Sequence, residues 1–462
     1  MIELDAPSIA RRVNAGVLDP VEVVEAFLTR IAERNPLLNA LVAFDADAAR
    51  VEAVEVRRRI ERGERPALAG VPVVIKDNIF VAGRRIAQGS RLFADHVAAQ
   101  DAIAVARLRR AGAVVIGIGN CPEFACKGVT NSPHYGIARN PLDPSLTPGG
   151  SSGGNAAALA AGFAPIALGT DGGGSGRRPP AHTGVVGFKP SFGAIPYGPG
   201  FAEPFWGISV LAPMGRTVGD AAALFDAVAG PDAADPESVA IDPAREWQPA
   251  RLRIAFSPTL GLDVPVDADV AGTVAAAVER LAHSGWPVAR ADPVWPAGLG
   301  EGSVMPLQAA GLAALHGGKW RQNPELFDPD VSAQIERGLA LSGADVAGAL
   351  EASQSIRRAV AAFLTDWDLL LTPTVPCVAW PANELGPPRI GGVAVGARGH
   401  AVFTPFFNHA LTPALSLPCG RARGNLPAGL QIIARRGRDL MVLGLGAAAE
   451  RVLSGAAANE RC

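Results

Sequence analysis

Apolar and polar positions along this chain recur with two different periods. Near the N-terminus the period is helical, with Val24, Phe27, Leu28 and Ile31 on one face. Ahead of them, Asp19-Pro20-Val21-Glu22 combines the acceptor, the proline and the acidic residue of a helix start. Helical character continues through an alanine- and arginine-rich run to about Arg62. From Ala69 the pattern changes, and Val71-Pro72-Val73-Val74-Ile75-Lys76 reads as a strand buried on both faces. Asp101 to Ala111 predicts a capped helix, Ala113 to Ile116 a strand, Asn155 to Gly162 a short helix and Pro165 to Leu168 another strand. A stretch rich in Pro, Ala and Asp follows from Pro231 to Pro249 and reads as a loop. Beyond it, Arg251 to Phe256 predicts a strand, Ala268 to Ser284 a helix and Ala344 to Trp367 a longer one. Asp368 to Leu371 and Leu415 to Pro418 are further strands.

Strands alternating with helices at this spacing predict an α/β fold: a large mixed, mostly parallel central sheet covered on both faces by helices. The expectation is one domain over 1–462. Within it, a helical region covers about 1–65 and a catalytic core about 66–230. A second half, about 250–462, completes the sheet and the substrate pocket.

Composition narrows the partners. With 462 residues, 48% of them hydrophobic, the chain can bury a large core. A net charge of -2 leaves no electrostatic footprint for nucleic acid or an acidic membrane. No apolar run is long enough to span a bilayer and no charged-then-apolar leader precedes the first helix, so a cytoplasmic protein is expected. The cysteines (Cys121, Cys126, Cys377, Cys419 and Cys462) are scattered, and no second pair completes a zinc site around Cys121 and Cys126. Basic residues are nearly all arginine; the lysines are Lys76, Lys127, Lys189 and Lys319. A lysine in an apolar setting therefore stands out.

Candidate chemistry concentrates between Thr147 and Pro190, where Ser151 and Ser175 occupy two separate glycine-rich turns. Glycine lets backbone approach a ligand closely. Ser175 directly follows Gly172-Gly173-Gly174, whose N–H groups can form an oxyanion hole contributing about 3–4 kcal/mol per donor. A tight strand-to-helix turn without chemistry is the other reading of that segment. Phosphate binding is disfavoured, because no Gly-Lys-Ser/Thr follows and G-x-G-x-x-G is absent.

A serine nucleophile needs a base. Of the histidines, His182 is nearest in sequence to Ser175. Lys76 is the stronger candidate, because it ends an apolar strand where a permanent charge is costly to bury. Side chains alternate along a strand, so Asp77 faces the other way and no local ion pair explains the lysine. Acting as a base requires its pKa to fall from about 10.4 by ~3 units, or ~4 kcal/mol, which burial can supply. The alternative is a lysine snorkelling to solvent from a strand end.

Gly70 to Asn78, Gly149 to Gly154, Gly169 to Ser175 and Gly184 to Pro190 together resemble the amidase signature family of serine hydrolases. The 24-residue separation of Ser151 and Ser175 fits that family. Weaker echoes at Pro122 to Ala125, Asp368 to Thr374 and Pro427 to Gln431 extend the resemblance over nearly the whole chain. It implies the amidase signature fold and a Ser–cis-Ser–Lys triad. Ser175 matches the nucleophile, Ser151 the bridging serine after a cis peptide bond, and Lys76 the base. Gly172, Gly173, Gly174 and Ser175 would hold the oxyanion, while Ser152, Asp171 and Arg177 support the loops. The implied reaction passes through a covalent acyl-enzyme and needs no metal or organic cofactor.

This chain departs from the family pattern at several positions. Gly172 replaces a residue with a side chain, which is expected to loosen the oxyanion loop. Gly176 and Arg178 stand where an Ile and an apolar residue are common, and the run through His182 and Thr183 lacks the Cys common near its end, which bears on substrate preference. The segment from Pro196 to Trp206 brings Tyr197, Phe201 and Trp206 forward as an apolar or aryl acyl pocket, with core packing as their other reading. The expected activity is amide hydrolysis of small aryl or alkyl substrates. A carbamate (urethane) or ester hydrolase with the same triad is the alternative. A second alternative is the amidase component of a multi-protein amidotransferase, and a third is a binding protein that kept the fold without catalysis. The expected partner is a small-molecule amide or carbamate; family analogy adds a homodimer.

Overall fold

Eleven strands from both halves of the chain share one sheet in the computed structural model, which describes residues 1–244 and 247–455. Cys462 lies outside the described residues. The first half supplies β1 (Leu41–Ala43), β2 (Pro72–Lys76), β3 (Val114–Gly119), β4 (Ile166–Asp171), β5 (Val186–Lys189) and β6 (Val210–Gly215). The second supplies β7 (Ile254–Phe256), β8 (Val288–Arg290), β9 (Leu369–Pro373), β10 (Ala414–Ala422) and β11 (Leu426–Ala434). Their spatial order is β1-β3-β2-β4-β6-β5-β10-β11-β9-β7-β8. The halves join where β5 pairs with β10, Lys189 opposite Ala414.

The sheet is mixed, as expected, but parallel pairs are not its majority. They are confined to β3–β2–β4 near one end and β9–β7–β8 at the other. Every pair between β4 and β9 is antiparallel, as is β1 with β3. The reason is local: β10 and β11 are joined by the short turn Arg423–Asn425, and so short a connection can only reverse the chain. β1, β5, β6, β8 and β11 have no counterpart among the strands expected from sequence.

Alternation along β10 and β11 assigns the two faces. Leu415, Leu417, Leu430 and Ile432 belong to the main core, against which Ala268–His283 and Asp439–Ser454 pack. The residues between them, Ser416 and Gln431, point to the opposite face, where the functional groups collect. Gly153–Ala160 covers β2, β3 and β4 on small side chains. A Cβ at Gly154 would lie 2.3 Å from the Asn120 nitrogen and 2.5 Å from the Ala40 oxygen, so only glycine lets this helix sit so close.

The N-terminal helical reading needs one correction. Pro20–Leu38 forms as expected, with the Asp19 side chain accepting the Val21 N–H at 2.7 Å. It stops at Asn39, whose φ of 47° is left-handed; β1 follows, and Ala46–Glu61 restarts under its own cap, Asp45. The Asn35 side chain bonds both ways with Leu41 and holds the break. The helix expected from Asp101 begins at Ile103 and has no side-chain cap; Asp101 instead accepts the Ala82 N–H. Among the described residues, no helix is long and apolar enough to cross a membrane.

Candidate active site

Lys76 is the last residue of β2 and is fully buried. It does not snorkel. Its Nζ lies 2.8 Å from Ser151 Oγ and 2.8 Å from Thr170 Oγ1. Burial lowers its pKa to about 8, since the ammonium loses its hydration. Asp77 turns the other way and accepts the N–H groups of Ala87 at 2.9 Å and Gly89 at 2.8 Å. Burial pushes that carboxyl up to about 7.

Ser151 follows a cis peptide bond to Gly150. Gly150 lies against Val129, whose backbone would stand 2.6 Å from an added Cβ. Ser152 Oγ donates to the Thr170 carbonyl at 3.1 Å, tying the Ser151 turn to β4.

Ser175 lies in the turn after β4, and Asp171 organises that turn. Its carboxylate accepts the N–H of Gly174 at 2.6 Å and of Gly176 at 3.1 Å. Arg177 grips it with Nε at 2.8 Å and Nη2 at 3.0 Å, and Asn408 Nδ2 adds a bond at 2.9 Å. Burial alone would raise the Asp171 pKa, but the Arg177 charge and these hydrogen bonds outweigh it and hold the group well below the carboxylate range. Arg177 is itself fully buried and donates to the Thr404 carbonyl at 3.0 Å, Gln431 Oε1 at 2.7 Å and Asn408 Oδ1 at 2.6 Å.

Among the proposed oxyanion donors, the Gly174 N–H is occupied by Asp171. The N–H groups of Gly172, Gly173 and Ser175 carry no hydrogen bond among the described residues. Gly172 has close neighbours on its open side. Ser209 Oγ would lie 2.6 Å and the Phe205 ring 3.3 Å from a Cβ there, so both neighbours pack where one would stand. Ser151 and Ser175 line one cleft, although no hydrogen bond joins their hydroxyls among the described residues.

Tyr197 and Phe201 line this cleft, joined by Phe124, Phe205 and Ile208. Trp206 does not. Its backbone is left-handed at φ 56°, its side chain turns outward, and its indole N–H donates to the Leu307 carbonyl at 2.7 Å. Phe205 takes the place expected of it. Phe403, Phe406 and Phe407 are core residues. Arg178 is buried and lines the cleft.

His182 is buried behind the Ser151 turn, 3.0 Å from where a Cβ on Gly149 would be, with Trp380 against its ring at 5.2 Å. Burial takes its pKa to about 3, and neither ring nitrogen has a hydrogen-bond partner among the described residues. Sequence reasoning missed Thr170, Thr404 and Asn408 as site groups. Thr170 stood inside a motif already singled out, whereas Thr404 and Asn408 belong to no motif. Gln431 was seen only as a distant echo.

Comparison with known proteins gives the same direction. A family model described as Amidase matches residues 22–443. The chain is 35% identical over 459 residues to an acylamidase of Rhodococcus erythropolis, covering 97% of this chain and 95% of that protein. It is 34% identical over 487 residues to a glutamyl-tRNA(Gln) amidotransferase subunit of Symbiobacterium thermophilum, covering 97% and 96%. A solved bacterial aryl acylamidase of the amidase signature enzymes superposes with a TM-score of 0.90 at 28% identity, covering 97% and 96%.

Proposed function

This chain belongs to the amidase family and is an amidohydrolase acting on the C–N bond of amides, and we propose that Ser175, Ser151 and Lys76 carry out that reaction. The supporting observation is the 2.8 Å contact between Lys76 Nζ and Ser151 Oγ, made by a buried lysine whose pKa is lowered to about 8. A lysine near that value has an appreciable neutral fraction at working pH and presents a lone pair to the serine. Thr170 Oγ1 takes one of its N–H groups and orients it.

In the proposed sequence, Ser175 Oγ bonds to the substrate carbonyl carbon while its proton passes to Ser151 Oγ, which gives its own to Lys76. Turning Ser175 Oγ toward Ser151 completes the relay; catalytic hydrogen bonds often tighten only with substrate bound. The carbonyl oxygen becomes an oxyanion and meets the N–H groups of Gly172, Gly173 and Ser175, which need no reorganisation. Lys76 then returns the proton through Ser151 to the amide nitrogen, the C–N bond breaks, and the amine leaves. Water activated by the same relay releases the acyl group from Ser175.

Small aryl or alkyl amides are the proposed substrates, since Tyr197, Phe201 and Phe205 give the cleft aromatic walls. Carbamates and esters pass through the same tetrahedral oxyanion and are the next class to test. Likeness to an amidotransferase component supports a second reading, in which ammonia is passed to a partner-bound acceptor. Turnover of simple anilides by the purified chain alone excludes an obligate partner. Ser175→Ala should abolish turnover and covalent labelling by a sulfonyl fluoride. Near-native activity in Lys76→Ala together with its loss in His182→Ala would overturn the assignment.

A further inference from the structure

Glu203 stands in the wall of the catalytic cleft, beside the aromatic residues and with Ser151 and Ser175 in the same lining. The residue is only half-buried, and its side chain is held from within its own loop. Oε2 accepts the Phe205 N–H at 3.0 Å, and the Ser209 hydroxyl also hydrogen-bonds the carboxyl. A carboxylate offers about four lone-pair sites, so two bonds leave it able to accept more.

Three basic side chains share the cleft: Lys127, Arg178 and Arg398. Lys127 is committed to Asp328 at 2.6 Å and Asp330 at 3.2 Å. None of the three hydrogen-bonds Glu203 among the described residues. Its hydrogen-bond partners are instead the Phe205 amide and Ser209. This carboxyl group has no cation of its own among the described residues, so a cationic ligand would meet it unpaired. Burial pushes Glu203 up to about 7, and a cation beside it would restore the ionised form.

Glu203 and the oxyanion loop share two neighbours. Ser209 and Phe205 pack where a side chain at 172 would stand, and both are bonded to Glu203. Tyr197, Phe201 and Phe205 add aromatic side chains to the same lining, and aromatic rings attract cations.

We infer that Glu203 is a specificity-determining residue selecting amides that carry a protonated amine a few bonds from the scissile carbonyl. This rests on the reading of the Ser175 cleft as the site of amide hydrolysis. The test is a binding measurement on the Ser175→Ala protein, which separates recognition from turnover. Calorimetry at neutral pH compares two matched pairs, one on each side of the bond: 4-aminobutanoyl anilide with pentanoyl anilide, and N-(2-aminoethyl)benzamide with N-propylbenzamide. In at least one pair the ammonium compound should bind about tenfold tighter than its neutral isostere. Adding Glu203→Gln should reduce that ratio to about two or less, while Glu203→Asp, which keeps the charge, should retain part of it. Taking the ratio within each protein cancels any general loosening of the cleft. Ratios near one in both pairs, a preference surviving Glu203→Gln, or its complete loss in Glu203→Asp would each overturn the inference. Failure of the Ser175 reading would show elsewhere, as turnover by the Ser175→Ala protein, and would leave these ratios as they are.

Discussion

Thr170 offers the most discriminating test of the lysine base, because it holds Lys76 without lying on the proposed proton path. Thr170→Val keeps the shape of the side chain and removes the oxygen that receives Lys76 Nζ at 2.8 Å and Asn78 Nδ2 at 3.1 Å. A hydrogen bond to a charged donor contributes about 1.5–3 kcal/mol, and one between neutral groups about 0.5–1.5. The ammonium therefore loses more than the amine, by roughly 1–1.5 kcal/mol, which is about one pK unit. From its value of about 8, the Lys76 pKa should fall toward ~7. The neutral fraction at about pH 7 then rises from roughly a tenth to roughly a half. Against that gain, the lone pair is less well aimed at Ser151, and one lost contact of about 1.4 kcal/mol lowers the plateau about tenfold. The variant should retain about half the wild-type rate near pH 7 but only about a tenth above pH 9. The assay is kcat/KM for a soluble anilide between about pH 6 and 10. The wild-type profile should rise with unit slope and level off above the lysine pKa. A limb that stays in place or moves upward in Thr170→Val would refute the reasoning, as would a wild-type profile without a break near 8.

Three further outcomes follow from the same geometry. Lys76→Met should be inactive yet more stable near pH 7, by about 1–3 kcal/mol after allowing for the hydroxyls it leaves unbonded. Below the folded pKa of about 8 the native state carries the full penalty of a buried ammonium, and that penalty fades as pH rises toward the ordinary 10.5, so urea melts at the two extremes should show the advantage shrinking. Arg177→Met strands the Asp171 charge in the interior and should cost about 3–5 kcal/mol in denaturation, with a loss below about 1 contradicting the role given to the pair. His182→Leu should keep kcat/KM within about threefold and leave the pH limb unmoved, since its ring nitrogens bond nothing among the described residues; a loss of more than about a hundredfold would return histidine to the mechanism.

Much of this site was legible one residue at a time. Glycine-rich turns around Ser151 and Ser175, and a lysine ending an apolar strand, are local patterns, because backbone conformation and strand alternation depend on near neighbours. The amidase resemblance likewise rested on short contiguous runs. Partners separated by hundreds of residues were another matter. Asn408 and Gln431 reach Arg177 across 231 and 254 positions, through a sheet order that no local spacing encodes. The antiparallel centre of that sheet was decided by the pairing of β5, β6, β10 and β11, several of which have weak individual signals. Trp206 and Phe205 differ by a single position, yet one turns to solvent and the other lines the cleft, according to backbone torsions that only the packed loop determines. The neighbours of Gly172 were likewise invisible in sequence: Ser209 and Phe205 pack where its side chain would stand. Local stretches of chain specify which chemical groups this protein has and the turns that expose them. Tertiary structure decided which groups meet, because burial, the lowered lysine pKa and the charge balance around Asp171 are properties of neighbours in space rather than along the chain.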